Sequence, residues 1–338
     1  MARTRAVLSE EMRQKLKDDF IFLICLICLE ISSAFYYGLR VILLFLTSIL
    51  VSFIGNWISE KLSGRVIRLT NLEPAVIGAL FAALLPPSSS FITVILGALF
   101  AQLVVLMPFG GEKNCHISSV SAAFCFSAIS WSSEIFRFPI PFSTLPAIGS
   151  VSSNILTTSP ANSLMMGGKP IYSIWEMLLG AVPGAAGTTC ILLILASFIV
   201  FIQRKKSGVY MTATTLISFF LFALIFNRTT INPITAAFFE IMSGSFAFGA
   251  VFMVPRFEGF LENKTAKTLF SISTGIFTVF FRILGGFEES FCFALLLTSI
   301  MIPLFNHISP KTLEISVLVF EFLKKILGKI FKRKEKTV

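Results

Sequence analysis

Few side chains in this 338-residue chain are suited to chemistry, and their positions narrow what they can do. The histidines are His116 and His307, and both fall at the edges of apolar blocks. The cysteines are Cys25, Cys28, Cys115, Cys125, Cys190 and Cys292. Cys25 and Cys28 form a C-x-x-C, but it lies inside an apolar stretch with no second pair, and a zinc or iron–sulfur site takes three or four ligands. The pair reads as small packing residues. No aspartate follows Asp19. Glu30 falls in the middle of an apolar block and Glu176 near the start of another. An ionisable group at mid-membrane depth is costly and often functional, so Glu30 stands either on an ion path or as a neutral or paired group. The small-residue run from Gly180 to Gly187 serves either close helix packing or close backbone approach to a phosphate-bearing cofactor. With no ligand set for haem, copper or iron–sulfur, redox chemistry here needs an organic cofactor.

The elements that must position these groups are apolar. Hydrophobic residues make up 55% of the chain and charged residues 14%, with a mean hydropathy of +0.85. A soluble domain of this size carries far more polar surface. Blocks near the roughly 20 residues needed to cross a bilayer recur throughout. They predict spans at 20–38, 41–58, 73–87, 91–109, 117–136, 173–202, 209–226, 234–254, 267–284 and 287–305. The fold class is thus an all-α membrane protein of about ten transmembrane helices. Counted along these spans, the minority side holds only Arg40, Arg137, Lys169, Arg228 and Arg282 of the 28 basic residues. By the positive-inside rule both termini are cytoplasmic, N-in and C-in. This orientation explains the net charge of +10, with no nucleic acid among the partners. The first block reads as an uncleaved helix rather than a signal peptide. Trp131, Tyr172 and Trp175 fall near one interface, and Trp57 and Tyr210 near the other, as an aromatic belt does. Residues 1–19 form a cytoplasmic segment, and 306–338 a basic tail whose stretch 312–331 is amphipathic and suited to the bilayer surface.

An echo divides the chain. Val76 to Phe81, then Pro86-Pro87, then Phe109-Gly110-Gly111, is matched by Ser243 to Phe248, then Pro255, then Leu284-Gly285-Gly286. The halves, 20–136 and 173–305, each hold five spans, and an odd number of spans per half inverts the second half. The connection 137–172 lies between them.

Several stretches carry a resemblance. Leu84-Leu85-Pro86-Pro87 followed by Leu96 to Ala101 is similar to "LPP … LGALFA", and Phe109-Gly110-Gly111 to "FGG". Leu179 to Thr189 resembles "LGNIPGSIGET". Ser243-Gly244 with Gly249 to Met253 resembles "SGG…LGAFFMATD", and Arg282 to Glu289 resembles "RLFGGYPEG". In this order they resemble the RnfD/NqrB family, membrane proteins of the Rnf electron-transport complex and of the sodium-pumping NADH:quinone oxidoreductase. The length favours the Rnf type. The resemblance implies two inverted five-helix repeats in a cell inner membrane, similar to urea channels. It also implies partner membrane and peripheral subunits, and a role in a flavin-dependent, ion-coupled redox pump.

The resemblance also places a flavin site. The family esterifies FMN to a threonine in "SGATPL", and the matching stretch here is Ser159-Pro160-Ala161-Asn162-Ser163-Leu164, upstream of Gly167-Gly168. Asn162 stands at the threonine position and has no hydroxyl to form a phosphoester. Ser163 is one residue late, and Thr157 and Thr158 are early. The expectation is FMN bound noncovalently or absent, near Thr158, Ser159, Asn162 and Ser163, with Gly184 and Gly187 from the small-residue run. Other departures are Ile117 to Val120 in place of "FNPA" and Val254-Pro255-Arg256 in place of the acidic end of "FFMATD". The leading function is a subunit that relays electrons and couples them to Na⁺ or H⁺ movement. The alternatives are a stand-alone channel or transporter of the same fold, or a scaffold without cofactor.

Overall fold

The computed structural model describes residues 2–65, 71–166, 171–203, 206–226, 229, 231–284 and 289–308. Gly167-Gly168, Gly285-Gly286 and the tail 312–331 lie outside the described residues. The first half holds α1 (Ala2–Tyr37), α2 (Leu39–Leu62), α3 (Glu73–Leu84), α4 (Phe91–Phe109) and α5 (Ser119–Ser130). The connection carries a short antiparallel pair, β1 (Phe138–Pro139) with β2 (Leu156–Thr157), in which Phe138 faces Thr157, and then α6 (Pro160–Met165). The second half holds α7 (Ile174–Leu179), α8 (Ile191–Ile202), α9 (Lys206–Ile225), α10 (Pro233–Met242), α11 (Phe246–Phe252), α12 (Lys264–Leu284), α13 (Ser290–Ile300) and α14 (Ile302–His307).

Local chemistry sets many of these boundaries. The Asn71 side chain accepts from the Glu73 amide ahead of Pro74, and α3 ends before Pro86-Pro87, which cannot continue a helix. The Ser90 hydroxyl caps α4 at the Thr93 amide, and Ser118 caps α5 at Ser121. Ser173 and Glu176 form a reciprocal capping box at α7, which gives Glu176 a structural task. Helix α1 starts well before residue 20, where the sequence places the first span, because 2–19 is rich in the helix formers Ala, Glu, Lys and Arg. Within α4, residues Phe100–Leu106 are wound as a π-helix, and Gln102 is buried against Gly55 of α2.

Among the described residues, five helices are long and apolar enough to cross a membrane: Leu16–Tyr37, Leu39–Leu62, Phe91–Phe109, Gly208–Ile225 and Lys264–Leu284. Helix α10 and the segment Phe246–Phe260 form a sixth passage only as a pair bent by 62°. Ten continuous spans are therefore not what the structure shows. Helices α3, α5, α8 and α13 have 12, 12, 12 and 11 residues. Each rises about 18 Å or less, against a hydrocarbon core of about 30 Å. The block at 173–202 is interrupted between α7 and α8, and the block at 234–254 between α10 and α11. Hydropathy counts apolar residues and does not register where the backbone leaves the helix.

Helix α2 packs on α3 and α4, and α9 packs on α10, α11 and α12. The short helices α5 and α13 pack on each other across the halves. Phe81, Phe124, Phe246, Phe248 and Phe291 are fully buried in this centre, and Phe246 stacks on Phe219 at 3.9 Å.

Candidate functional site

Backbone that leaves the helix inside an apolar environment must find partners for its amides and carbonyls, because no water is there to take them. The first break follows α3. The Ala83 and Leu85 carbonyls accept from the amides of Gly187 (2.8 Å) and Ala186 (3.0 Å), so the small-residue run of the second half seals a helix end of the first. A Cβ added at Gly187 would lie 2.5 Å from the Ala83 Cβ, so only glycine allows this approach. Arg40, buried at the start of α2, donates through Nε to the Pro87 carbonyl (3.0 Å) and through Nη2 to that of Ser89 (2.9 Å). Its Nη1 reaches the Pro146 and Gly149 carbonyls in the long loop at 3.0 and 2.9 Å. On the far side of the break, Glu134 Oε2 accepts from the Ser90 amide and the Thr93 hydroxyl. An arginine thus takes the carbonyls and a glutamate takes the donors.

The second break uses the same chemistry. Between α10 and α11 the chain turns at Ser243-Gly244-Ser245, and Gly244 adopts φ +66, a left-handed backbone that favours glycine. Arg282 of α12 donates to the Glu240 and Ser243 carbonyls, at 2.5 and 2.9 Å, and pairs with Glu240 Oε2 at 2.6 Å. Glu289, just before α13, accepts the Ser245 amide at 2.6 Å. Arg282, Glu240 and Glu289 are all buried. Arg282 and Glu289, at the two ends of one stretch, and Ser243-Gly244, from a separate motif, are one clamp. Removing one member of a buried pair costs about 3–5 kcal/mol, because the other charge remains without compensation. In the sequence Arg40 is legible only as a basic residue on the minority side, Arg282 is so and also opens one of the resembling stretches, and nothing there marks Glu134 or Glu240.

The long loop docks beside the first break. Leu164 of α6 packs with Met177, Val182 and Phe239 of the second half. The Tyr37 and Tyr36 hydroxyls donate to the Val182 (2.7 Å) and Leu179 (3.1 Å) carbonyls. The loop and the small-residue run therefore form one patch. Within it Ser159 is buried, Thr158 is exposed, and Asn162 and Ser163 are partly buried. The Ser163 hydroxyl donates to the Pro160 carbonyl at 2.7 Å. Gly184 lies against Thr189, and the Gly187 amide is held by Ala83. For a flavin phosphate the polar groups of this patch that are not fully buried would include the Asn162 carboxamide and the Thr158 hydroxyl. Position 162 has no hydroxyl for a phosphoester, and the hydroxyl of Ser163, next in the chain, donates to the chain's own Pro160 carbonyl.

Glu30 is buried on the inner face of α1, with Cys25, Leu26, Leu29, Ser33 and Tyr37, and its Oε1 has no partner among the described residues. Cys25 is buried and Cys28 exposed, so the two thiols of the C-x-x-C do not share a surface. His116 sits edge-on to Phe109 at 5.9 Å, and His307 is exposed.

Several membrane-length apolar helices, together with interrupted helices whose ends are sealed by buried arginine and glutamate, define a multi-pass membrane protein. The sequence profile of the NQR2, RnfD, RnfE family matches residues 11–314, and the chain belongs to this family. It is 25% identical over 237 residues to the B subunit of the Na(+)-translocating NADH-quinone reductase of Chromohalobacter salexigens, an alignment covering 69% of this chain and 57% of that protein. It is 22% identical over 301 residues to the D subunit of the proton-translocating ferredoxin:NAD(+) oxidoreductase complex of Clostridium ljungdahlii, covering 83% and 87%. It is 23% identical over 278 residues to the D subunit of the Na(+)-translocating ferredoxin:NAD(+) oxidoreductase complex of Acetobacterium woodii, covering 81% and 83%. The chain thus spans little more than half of the quinone-reductase protein.

Proposed function

We propose that this chain is a membrane subunit of an Rnf-type, ion-translocating electron-transport complex, relaying electrons and coupling them to Na⁺ or H⁺ movement. The carrying observation is the alignment to two ferredoxin:NAD(+) oxidoreductase D subunits over most of both partners. The clamp formed by Arg282, Glu289 and Ser243-Gly244 supports it, because it gives the resembling motifs one shared task. In this reading the chain crosses a bacterial inner membrane ten times in two inverted halves. The short and bent helices supply the passages that the five long ones do not, and both termini face the cytoplasm. The partners are the other membrane and peripheral subunits. FMN, where bound, supplies electron transfer and is held noncovalently by the loop of Thr158, Ser159, Asn162 and Ser163. Asn162 favours a second reading, a scaffold without flavin. The centre filled by Phe81, Phe124, Phe248 and Phe291 speaks against a stand-alone channel.

The test is affinity purification of the tagged chain from native membranes in mild detergent. Other redox subunits should copurify, and membranes lacking the chain should lose ion-coupled ferredoxin or quinone chemistry. A chain that purifies alone, from membranes whose coupled electron transfer survives its removal, would overturn the proposal.

A further inference from the structure

The two halves also meet at the end of α2 opposite Arg40. Gly110, in the turn after α4, lies against the Arg65 guanidinium just beyond α2. Beside it the Arg256 guanidinium donates to the Glu112 carboxylate. Glu112 belongs to the first half and Arg256 to the segment Val254–Phe260 of the second, so this pair joins the halves. The pairs Lys267–Glu258 and Arg282–Glu240 lie within the second half. Arg256 also lies over the Phe22 ring of α1 at 5.5 Å.

Two cavities meet at Glu112. One of about 510 Å³ has a mixed lining, in which Asp19, Glu60, Glu73, Gln102, Asn114 and Glu112 are set among apolar residues. Buried atoms of Gln102 and Glu112, Nε2 and Oε2, have no partner among the described residues, which marks the space as wet. The other, of about 30 Å³, lies behind the pair and is lined by Glu112, Arg256, Cys115, Ser118 and Ser119. At its back the Ser118 amide donates to the Ser299 hydroxyl at 3.2 Å, near the packing of α5 on α13.

We propose that the Glu112–Arg256 pair is a latch between the two halves, closing the small space and the foot of the α5–α13 interface off from the large cavity. The degree of burial suits a latch. The Arg256 and Glu112 side chains are 21% and 23% exposed. A fully buried pair is too costly to separate, and a fully exposed one holds nothing. One that water can reach opens and closes. The latch rests on geometry alone and stands whether or not the chain carries a flavin.

Cys115 reports on it. It is 2% exposed and lines the space behind the pair. Burial pushes its thiol up, a hydrogen bond with the Ile117 backbone opposes this, and the charge of Glu112 adds to the rise. The experiment labels inside-out vesicles holding the native complex with a membrane-impermeant maleimide and maps each cysteine by peptide mass spectrometry. Arg256→Gln should speed Cys115 labelling about tenfold, the effect of removing about 1.4 kcal/mol from the closed state. Charge alone predicts the reverse, since losing a nearby cation leaves the thiol less ionised. The charge swap Glu112→Arg with Arg256→Glu should return labelling to the wild-type rate, although it places a cation near the thiol. No rise in Arg256→Gln, or a swap that labels as fast as the single variant, overturns the latch. A rise shared by the buried Cys125 and Cys292 marks general unfolding, and the swap then decides between the same two outcomes.

Discussion

Gly187→Ala tests whether the small-residue run is a structural seal. The new Cβ would stand 2.5 Å from the Ala83 Cβ and 3.2 Å from its Cα, both fixed to the end of α3. The turn must withdraw, and the 2.8 Å bond from the Gly187 amide to the Ala83 carbonyl stretches or breaks. Overpacking of this kind costs about 1–3 kcal/mol. A buried carbonyl left without its donor costs about 1–3 kcal/mol more. The expected loss is thus about 2–6 kcal/mol, a large share of the stability of a typical fold. Gly259→Ala is the control, with no atom within 4 Å of its new Cβ, and should change stability by about 0.5 kcal/mol or less. Because the closest atom is the Ala83 Cβ, Ala83→Gly in the Gly187→Ala background should recover part of the loss, despite about 1 kcal/mol of helix propensity. The assay heats detergent-solubilised chain and follows the monodisperse fraction by fluorescence-detected size exclusion. A Gly187→Ala chain as heat-resistant as Gly259→Ala, or one that Ala83→Gly fails to improve, would refute the steric argument.

Arg282→Met should destabilise the chain by about 3–5 kcal/mol in the same assay, and adding Glu240→Met should recover much of it, since the cost is the carboxylate left behind. Recovery absent in the double variant would mean that the carbonyl bonds to Glu240 and Ser243 dominate. Reporter fusions after Lys206 and Lys267 should read cytoplasmic, and those near Ser163 and Glu289 external; a cytoplasmic signal at Ser163 would overturn the ten-passage topology. Intact-mass spectrometry of chain coexpressed with its native flavin transferase should show no gain of roughly 440 Da, the mass of one FMN ester. That gain, mapped to Ser163, would show that its hydroxyl leaves Pro160 to form the ester.

The membrane class, the family and the broad order of helices are legible in the sequence, because these rest on apolar block length and on short motifs in order. How far the helices are continuous is not. The blocks at 173–202 and 234–254 are predominantly apolar, and their breaks are made possible by partners far away in sequence: Arg282 for α10, and Ala83 and Leu85 for the turn before α8. No local window contains both members of such a pair. The sequence leaves Gly187 open between packing and cofactor approach, and only the position of Ala83 gives it a packing partner. Glu30 is equally open, and its burial on α1 narrows its surroundings without naming a partner. The Arg256–Glu112 pair is invisible in the sequence for a related reason. Arg256 reads as a departure from a motif, while the residue that it meets stands 144 positions away.

The fastening between the halves is uneven along their length. Near Tyr37 it consists of neutral hydrogen bonds, from Tyr36, Tyr37, Ala186 and Gly187 to backbone carbonyls of the opposite half. Breaking the buried bond of Tyr37 strands a polar group at about 1–3 kcal/mol, whereas that of Tyr36 is exposed. At the Glu112 end it includes one partly exposed ion pair, the bond from Ser118 to Ser299, and the contacts of the Phe22 ring with Arg256, Phe201 and Phe252. Of the two ends, the Glu112 end is the one that would part first, as the covers of a book part opposite the spine. The 24 residues of α2 set the reach of that motion at about 36 Å. A rotation of roughly 5° about the spine then parts the far edge by about 3 Å, the width of one water molecule.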